Sequence, residues 1–449
     1  MKNLSYINRE LVRLFSFLVP QDATLLEIGC GDGDRIASIP AAHRTGIDRN
    51  SRAVYEARSA HPGISFIEDD VEKLETRGSF EYVLIPGLLG SLHDIEQSLR
   101  NVHQVIAPRG RLVITSRNYL WQPLYVLAEK LGLRKKKPPQ NWLTPYDIEN
   151  FLALSGFEVI HSGKRVLCPV RIPGISFLCN QILVRLPLLW RLGAVQYIVA
   201  RPTLKTREDV SVSIVVPARN EKGNIEHIVR RLPEFPKGTE IIFVEGHSKD
   251  GTWKEIERVR DVYQNKKNIV ALRQDGMGKG DAVRKGFAEA QNDLLMIFDA
   301  DMTVLPEDLP KFYRALTEGA GEFIHGSRLV YPLEKEAMRF LNNMANKFFA
   351  LAFSWLLDQR FKDTLCGTKV LLKSDYEWIA RNRNYFGEFD PFGDFDLLFG
   401  AAHLNLKIID VPVRYYARRY GTTQIQRFRH GWLLLKMCIV AARKLKFNP

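Results

Sequence analysis

Short apolar runs set the rhythm of the first half of the chain. Thr24–Ile28, Thr45–Asp48, Tyr82–Ile85 and Arg111–Thr115 each read as a brief buried strand, with longer amphipathic stretches between them. Such runs suit strands covered on both faces, and the stretches between suit helices. The alternation predicts a parallel sheet with helices on both sides. A second series starts at Val212, with Ile214–Pro217 (IVVP), Ile241–Glu245 (IIFVE) and Leu294–Asp301 (LLMIFDAD). Between the two series, Arg201–Val210 (RPTLKTREDV) is polar and Pro-containing, and reads as a linker. Two α/β domains are expected, 1–205 and 206–449. They are not a duplication: a Gly-rich turn follows the opening strand of the first, and Pro-Ala-Arg-Asn-Glu that of the second.

Composition narrows the class. Of 449 residues, 45% are hydrophobic and 26% charged, a globular mix that excludes a disordered or collagen-like chain. Five scattered Cys without a CxxC pair argue against a disulfide framework or structural zinc and point to a reducing cytoplasm. The opening segment is broken by Arg9, Glu10 and Arg13, unlike a signal peptide. No run of 18 uncharged apolar residues occurs, so no transmembrane helix is expected.

Charge changes the picture more. The net charge of +13 is carried by two segments, 117–205 and 407–449, each +9, while 1–116 is −2 and 206–406 is −3. Both basic segments are rich in Leu, Ile, Trp and Phe: an extension from about residue 117, notably Ile172–Ala200, and an amphipathic C-terminal helix over Gly431–Lys446. Cations mixed with apolar side chains suit a membrane surface. Basic residues without them would have suited nucleic acid, and no nucleic-acid partner is expected.

The first candidate site follows Leu25–Ile28. The turn Gly29-Cys30-Gly31-Asp32-Gly33-Asp34 has GxGxG spacing, with Asp34 where a dinucleotide fingerprint needs its third glycine. Glu27 precedes the turn, Asp48 ends the next strand, and Asp69-Asp70-Val71 ends a third. A carboxylate at the first position suits a cationic ligand group, and one at the second suits ribose hydroxyls. Over roughly residues 5–160 this pattern resembles the class I S-adenosylmethionine-dependent methyltransferases, with Asn141–Thr144 and Leu152–Glu158 in place of the family's late helix and strand. The resemblance implies a Rossmann-like sheet. It implies that Glu27, Gly29, Gly31 and Gly33 hold the methionine part, Asp48 the ribose, and Asp70 with the Val71 backbone the adenine. His93, after the fourth strand, is a candidate base, although such enzymes often act by aligning donor and nucleophile.

The second candidate site is Asp299-Ala300-Asp301, after Leu294–Ile297. Two carboxylates two residues apart at a strand end can share a divalent cation such as Mg²⁺ or Mn²⁺. Around it, in order, stand Pro217-Ala-Arg219-Asn-Glu221, Glu245 with Gly246–Thr252, and Gly278-Lys279-Gly-Asp281. The set resembles family 2 inverting glycosyltransferases of GT-A fold, in the branch of the dolichyl- or polyprenyl-phosphate mannose synthases, over about Val212–Arg429. The resemblance implies that Pro217, Arg219, Glu221, Glu245 and Asp250 line the nucleoside pocket. Glu245 departs from the family's usual Asp. Lys279 and Asp281 fall near the base or sugar, Asp299 on the sugar nucleotide and Asp301 on the metal. Arg328, Arg414, Arg419 and Arg427 are candidates to offset leaving-group charge, and Asp394 and Asp396 to act near the acceptor. Cys366-Gly367-Thr368-Lys369 is expected to shape the acceptor side.

Together these resemblances imply a cytoplasmic enzyme, peripheral to the membrane, of lipid-linked or cell-envelope glycan synthesis. It would move a sugar from a GDP- or UDP-linked donor to a polyprenyl phosphate or glycan and methylate the same or a related acceptor. The alternative is a glycosyltransferase alone, with the first domain a silent S-adenosylmethionine-binding or structural module.

Overall fold

In the computed structural model, the described residues are 4–132, 140–207, 210–332, 340–383, 393–421 and 427–447; the side chains of 340–343, 394 and 427–430 are not among them. The chain divides into two compact units, Met1–Leu204 with Lys446–Pro449, and Lys205–Leu445.

The first unit holds a seven-stranded sheet. Its strands are β1 (Thr24–Ile28), β2 (His43–Asp48), β3 (Ser65–Glu68), β4 (Phe80–Pro86), β5 (Ile106–Arg117), β6 (Phe157–Arg165) and β7 (Val195–Pro202). Their order is 3-2-1-4-5-7-6. The aliphatic strands are buried on both faces. Leu25, Leu84 and Val113 face one core with Phe15 and Ile36, while Leu26, Val83 and Leu112 face the other with Leu99 and Leu152. Helices cover both cores because their apolar positions fall on one side. In Ile95–Val105, capped by Asp94 accepting from the Gln97 amide at 2.9 Å, the buried side chains include Ile95, Leu99 and Val102.

Two expectations need correction here. The sheet is mixed, since β7 runs antiparallel to both β5 and β6. Moreover, β7 falls in the stretch read as a basic apolar extension and linker: every residue from Val195 to Pro202 is buried. Arg201 is wholly buried, with its guanidinium on Glu158, so the connection between the units begins after Pro202. The arginine looked like linker because its neutralising partner lies 43 residues away.

The second unit holds another seven-stranded sheet. It comprises β8 (Val212–Ala218), β9 (Thr239–Glu245), β10 (Asn268–Arg273), β11 (Leu294–Ile297), β12 (Phe323–Ser327), β13 (Lys369–Leu372) and β14 (Ile408–Pro412). The order is 10-9-8-11-13-12-14, with β13 antiparallel to its neighbours. Val212, Ile214 and Val216 point into a core with Phe243, Met296 and Phe312. On the opposite face, helix Lys279–Glu289 lies so close that a Cβ on Gly286 would come 2.4 Å from Val215.

Candidate active sites

Both sheets reverse strand order beside their first strand, at β1/β4 and β8/β11. In open α/β sheets the crevice beyond the carboxyl ends of such strands is where ligands bind. Both sets of sequence-selected residues leave the sheets there.

At the end of β1, Glu27 is fully buried. Its Oε1 accepts from Arg35, whose other nitrogen reaches the Gly29 carbonyl at 3.1 Å. Burial raises the Glu27 pKa despite Arg35. Its Oε2 is buried with no hydrogen-bond partner among the described residues. A buried carboxylate oxygen left unmatched is costly unless a donor completes it. Asp48, at the end of β2, accepts from the Gly31 amide and the Asn50 amide, both at 2.9 Å, and so ties the Gly-rich turn to the second strand.

The three glycines have different duties. Gly29, Gly31 and Gly33 all have positive φ, favourable to glycine. Around Gly31 a Cβ would meet nothing within 4 Å, whereas at Gly33 it would strike the Phe66 ring at 2.6 Å. Gly31 therefore borders open space, and Gly33 serves packing. Asp70 accepts from the Glu72 amide at 3.0 Å, and the Val71 carbonyl accepts from Asn101 at 2.9 Å. Asp69, which follows β3 beside Asp70, is taken up by the loop: it accepts from the Asp70, Glu75 and Thr76 amides. The exposed His93 donates its backbone amide to Glu72. The Cys30 thiol is pushed up to about 12 by burial and by the Glu27 and Asp48 charges, which leaves it inert.

In the second unit, two charged links meet at the ends of β8 and β11. Lys279 Nζ lies 2.6 Å from Asp299 Oδ1. Burial works against the Asp299 carboxylate, but Lys279, with Lys369 and Arg328 nearby, brings its pKa below the ordinary value. The turn 366–369 packs directly on this pair. A Cβ at Gly367 would fall 2.0 Å from Asp299 Oδ2 and 2.4 Å from Lys279 Nζ.

The second link passes through Arg418. Its Nη2 donates to Asp301 Oδ2 at 2.8 Å and its Nη1 to Glu221 Oε1 at 2.5 Å. Asp301 also accepts from the Thr303 hydroxyl at 2.9 Å, and Glu221 from Asn224 at 2.7 Å. Burial pushes the Glu221 carboxyl up to about 7, with Arg418 opposing and the Asp301 charge reinforcing. Sequence reasoning named Arg414, Arg419 and Arg427, but not Arg418. Arg414 and Arg419 are exposed, Arg414 lying 5.5 Å from the Tyr331 ring, and the Arg427 side chain lies outside the described residues. Nothing in Ala-Arg418-Arg419-Tyr tells the inward arginine from the outward one.

The remaining pocket residues knit adjacent loops together. Asn220, with φ 55°, accepts from the Lys249 amide at 2.8 Å and donates its own amide to Ser248. Glu245, buried, accepts from the Ser248 amide. Asp250 accepts from Thr252, from the Lys222 amide and from the Tyr420 hydroxyl at 3.2 Å. Asp281 accepts from the Gly276 amide at 2.9 Å. Pro217 is half-buried at the end of β8, and Arg219 beside it is exposed.

Three further candidates are held by partners of their own or open a helix beside the site. Arg328 forms a two-pronged pair with Asp363, at 2.6 and 2.9 Å, and Asp363 is buried and also holds Asn346. Asp396, buried, pairs with Arg383 at 2.7 Å. Asp394 opens helix Asp394–His403, and its side chain lies outside the described residues. The backbone there abuts the Lys279 helix, since a Cβ on Gly393 would come 2.6 Å from the Gly280 Cα. Among the described residues, no cluster of three or more His, Cys, Asp or Glu forms a metal site.

Comparison with known proteins assigns both units. A family model described as a methyltransferase domain matches residues 2–162, and one described as glycosyl transferase family 2 matches 213–381. The chain joins a methyltransferase domain to a family 2 glycosyltransferase domain. It is similar to the dolichol-phosphate mannosyltransferase of Pyrococcus furiosus, 27% identical over 53% of this chain and 68% of that one. It is 37% identical to that of Saccharomyces cerevisiae over 26% of this chain and 45% of the relative. A dolichyl-phosphate beta-glucosyltransferase of Trichomonas vaginalis is 31% identical over 48% of this chain and 66% of its own length. Among solved structures, an S-adenosylmethionine-dependent methyltransferase from Mesorhizobium loti aligns with 42% of this chain and 95% of its own at 20% identity, with a TM-score of 0.33.

Proposed function

We propose that the glycosyltransferase domain moves a sugar from a nucleotide-diphosphate donor, GDP- or UDP-linked, to a polyprenyl-phosphate or glycan acceptor. In the same reading, the methyltransferase domain methylates that acceptor or a related one. The observation that carries the first part is the meeting of Lys279–Asp299 with Glu221–Arg418–Asp301 at one strand reversal. The names of the relatives, mannosyl- and glucosyltransferases on dolichyl phosphate, support the donor and acceptor class.

Displacement at the anomeric carbon places growing negative charge on the departing diphosphate. Asp301 is held by Arg418 and Thr303, so an ion bound there would take the place of the Arg418 guanidinium on its carboxylate. Asp301 with Asp299 would hold Mg²⁺ or Mn²⁺, and the ion would neutralise diphosphate charge. Glu221, Glu245 and Asp250, on the loops after β8 and β9, would form the nucleoside side with Pro217 and Arg219. Lys279 and Asp281 open the next helix toward the base or sugar. Arg328, fixed by Asp363, would act through the local field rather than as a mobile clamp. Asp394 and Asp396 are proposed near the acceptor. A lipid phosphate acceptor is already anionic and needs little base help.

Exposed stripes support a membrane-side acceptor. Met344, Phe348 and Leu351 project from helix Phe340–Leu357, and Trp432, Leu435 and Ile439 from helix Arg427–Ala441. Their spacing of three and four residues gives each helix an apolar side. No described helix is long and apolar enough to cross a membrane.

In the methyltransferase domain, S-adenosylmethionine when bound supplies the methyl group. The orphan Glu27 Oε2 would take its ammonium, the open turn at Gly31 its methionine chain, and Asp48 its ribose hydroxyls. Asp70 with the Val71 backbone would take the adenine.

The test is sugar transfer into organic-extractable lipid, using membrane lipids with polyprenyl phosphate, Mg²⁺ or Mn²⁺, and labelled GDP- and UDP-sugars. Label in the lipid phase with wild type and none with Asp301→Asn is the expected result. Asp301→Asn should keep S-adenosylmethionine binding. Lipid label retained in that variant overturns the assignment.

A further inference from the structure

The methyltransferase domain has an outer face whose polarity is reversed. Between Ile175 and Ile182 the inward positions are polar: Ser176 and Asn180 are buried. Asn180 is fully engaged, donating to the Tyr6 hydroxyl and the Cys168 carbonyl, both at 2.8 Å, and accepting from the Cys168 amide. Ser176 donates to the Val170 and Ile172 carbonyls at 2.9 and 2.8 Å. The outward positions are apolar, with Ile175, Phe177 and Leu178 each about half exposed or more. A segment whose polar side chains anchor it inward and whose large apolar ones face out is stable against an apolar medium rather than water.

A second exposed apolar segment lies beside the turn that follows the first. Helix Gln122–Lys130 buries none of its residues, and Leu124, Leu127 and Leu131 line one side at helical spacing. Trp121 ties it to the turn that follows the first segment, its indole donating to the Leu192 carbonyl at 2.7 Å, and Asn118 donates to the Gly193 carbonyl at 2.7 Å. Leu188, 73% exposed, lies on the turn between.

Charge selects the occupant. Residues 119–131 and 170–192 together contain Lys130, Arg171, Arg185 and Arg191 against Glu129 as the one acid. Exposed Lys130, Arg171 and Arg191 stand among the exposed apolar groups. Anionic headgroups attract such cations while acyl chains receive the leucines and phenylalanine. A nucleic acid would leave the apolar side chains in water.

We propose that the face built by residues 119–131 and 170–192 of the methyltransferase domain docks on an anionic lipid bilayer. The face belongs to the methyltransferase domain alone and does not depend on the sugar-transfer reading. The face holds the Gly-rich turn's domain at the surface where a lipid-borne methyl acceptor would reside.

The full chain would be floated with vesicles of phosphatidylcholine alone, and of phosphatidylcholine with about one-third phosphatidylglycerol. Wild type should bind the anionic vesicles and release them as salt rises. Leu124→Glu with Leu127→Glu, and separately Phe177→Glu, should each weaken binding about tenfold or more, with S-adenosylmethionine binding and thermal midpoint unchanged. Trp432→Glu reports separately on the glycosyltransferase helix, and sugar transfer to detergent-dispersed acceptor should survive the first-domain variants. Unchanged vesicle binding in both first-domain variants overturns the proposal. So does wild type that binds neither vesicle, or variants that lose only self-association in lipid-free buffer, which would assign the face to a second copy.

Discussion

Arg418 and Asp301 lie 117 residues apart in sequence and 2.8 Å apart in space. The same guanidinium reaches Glu221, so a segment late in the chain closes the charge pattern of two strand-end loops. The neighbouring Tyr416 and Tyr420 anchor this segment on either side, to the Thr303 carbonyl and Asp250.

Glu221 makes this link pH-dependent. Its folded pKa of about 7 stands above the free value of 4.5, because burial disfavours the charged form. The folded chain therefore binds the extra proton between those values, and stability falls as pH rises through that window. The change is on the order of 3 kcal/mol from about pH 5 to about pH 8. Compared with wild type across pH, Glu221→Gln should gain in relative thermal midpoint as pH rises through this window. Asp410, raised to about 6 by burial, contributes a smaller change of the same sign, while His325 and His403, lowered by burial to about 3 and about 4, oppose it below about pH 6.5.

Gly367 separates activity from stability. Its Cβ position is filled by the Asp299 carboxylate and the Lys279 ammonium. Gly367→Ala should push that pair apart at little cost in folding. Sugar transfer should drop about tenfold or more, ~1.4 kcal/mol of barrier, with the thermal midpoint nearly unchanged.

Gly31 and Gly33 should behave oppositely although two residues apart. Gly31→Arg has room for its side chain beyond a left-handed backbone cost of about 1–2 kcal/mol, and should abolish S-adenosylmethionine binding by filling the turn. Gly33→Ala meets Phe66 and should destabilise the methyltransferase domain by a further ~1–3 kcal/mol. Calorimetric titration with S-adenosylmethionine and thermal unfolding distinguish the two.

Asp363 is a structural anchor. It is fully buried and neutralises Arg328, which holds its carboxyl far below the ordinary range despite burial. Asp363→Ala strands that guanidinium and should cost about 3–5 kcal/mol. Urea unfolding should register the loss in the glycosyltransferase domain, while S-adenosylmethionine binding persists.

The local signals in the sequence were strong where one short segment carries the whole message. β1 runs over Thr24–Ile28 and β11 over Leu294–Ile297, the bounds that the apolar runs mark. The Gly-rich turn and the paired acids of Asp299-Ala-Asp301 likewise announce strand ends, because tight turns and clustered carboxylates have few other uses there. By itself, then, the sequence determined two α/β units, their glycosyltransferase and methyltransferase character, and the strand ends where the candidate sites lie.

Tertiary structure decided what depends on partners far away in the chain. β7 read as extension and linker because Arg201 looks solvated until Glu158 neutralises it. Arg418 and Arg419 are indistinguishable in sequence, and only packing turns the first toward Asp301 and the second outward. Arg328 and Asp396, both selected as functional, are seen in space to be held by Asp363 and Arg383. Composition placed cations and apolar residues together over Ile172–Ala200, but only the fold put Ser176 and Asn180 inside and Phe177 outside. Apolar periodicity is a local property that propagates into secondary structure. Which charge finds which partner depends on contacts the one-dimensional pattern does not encode.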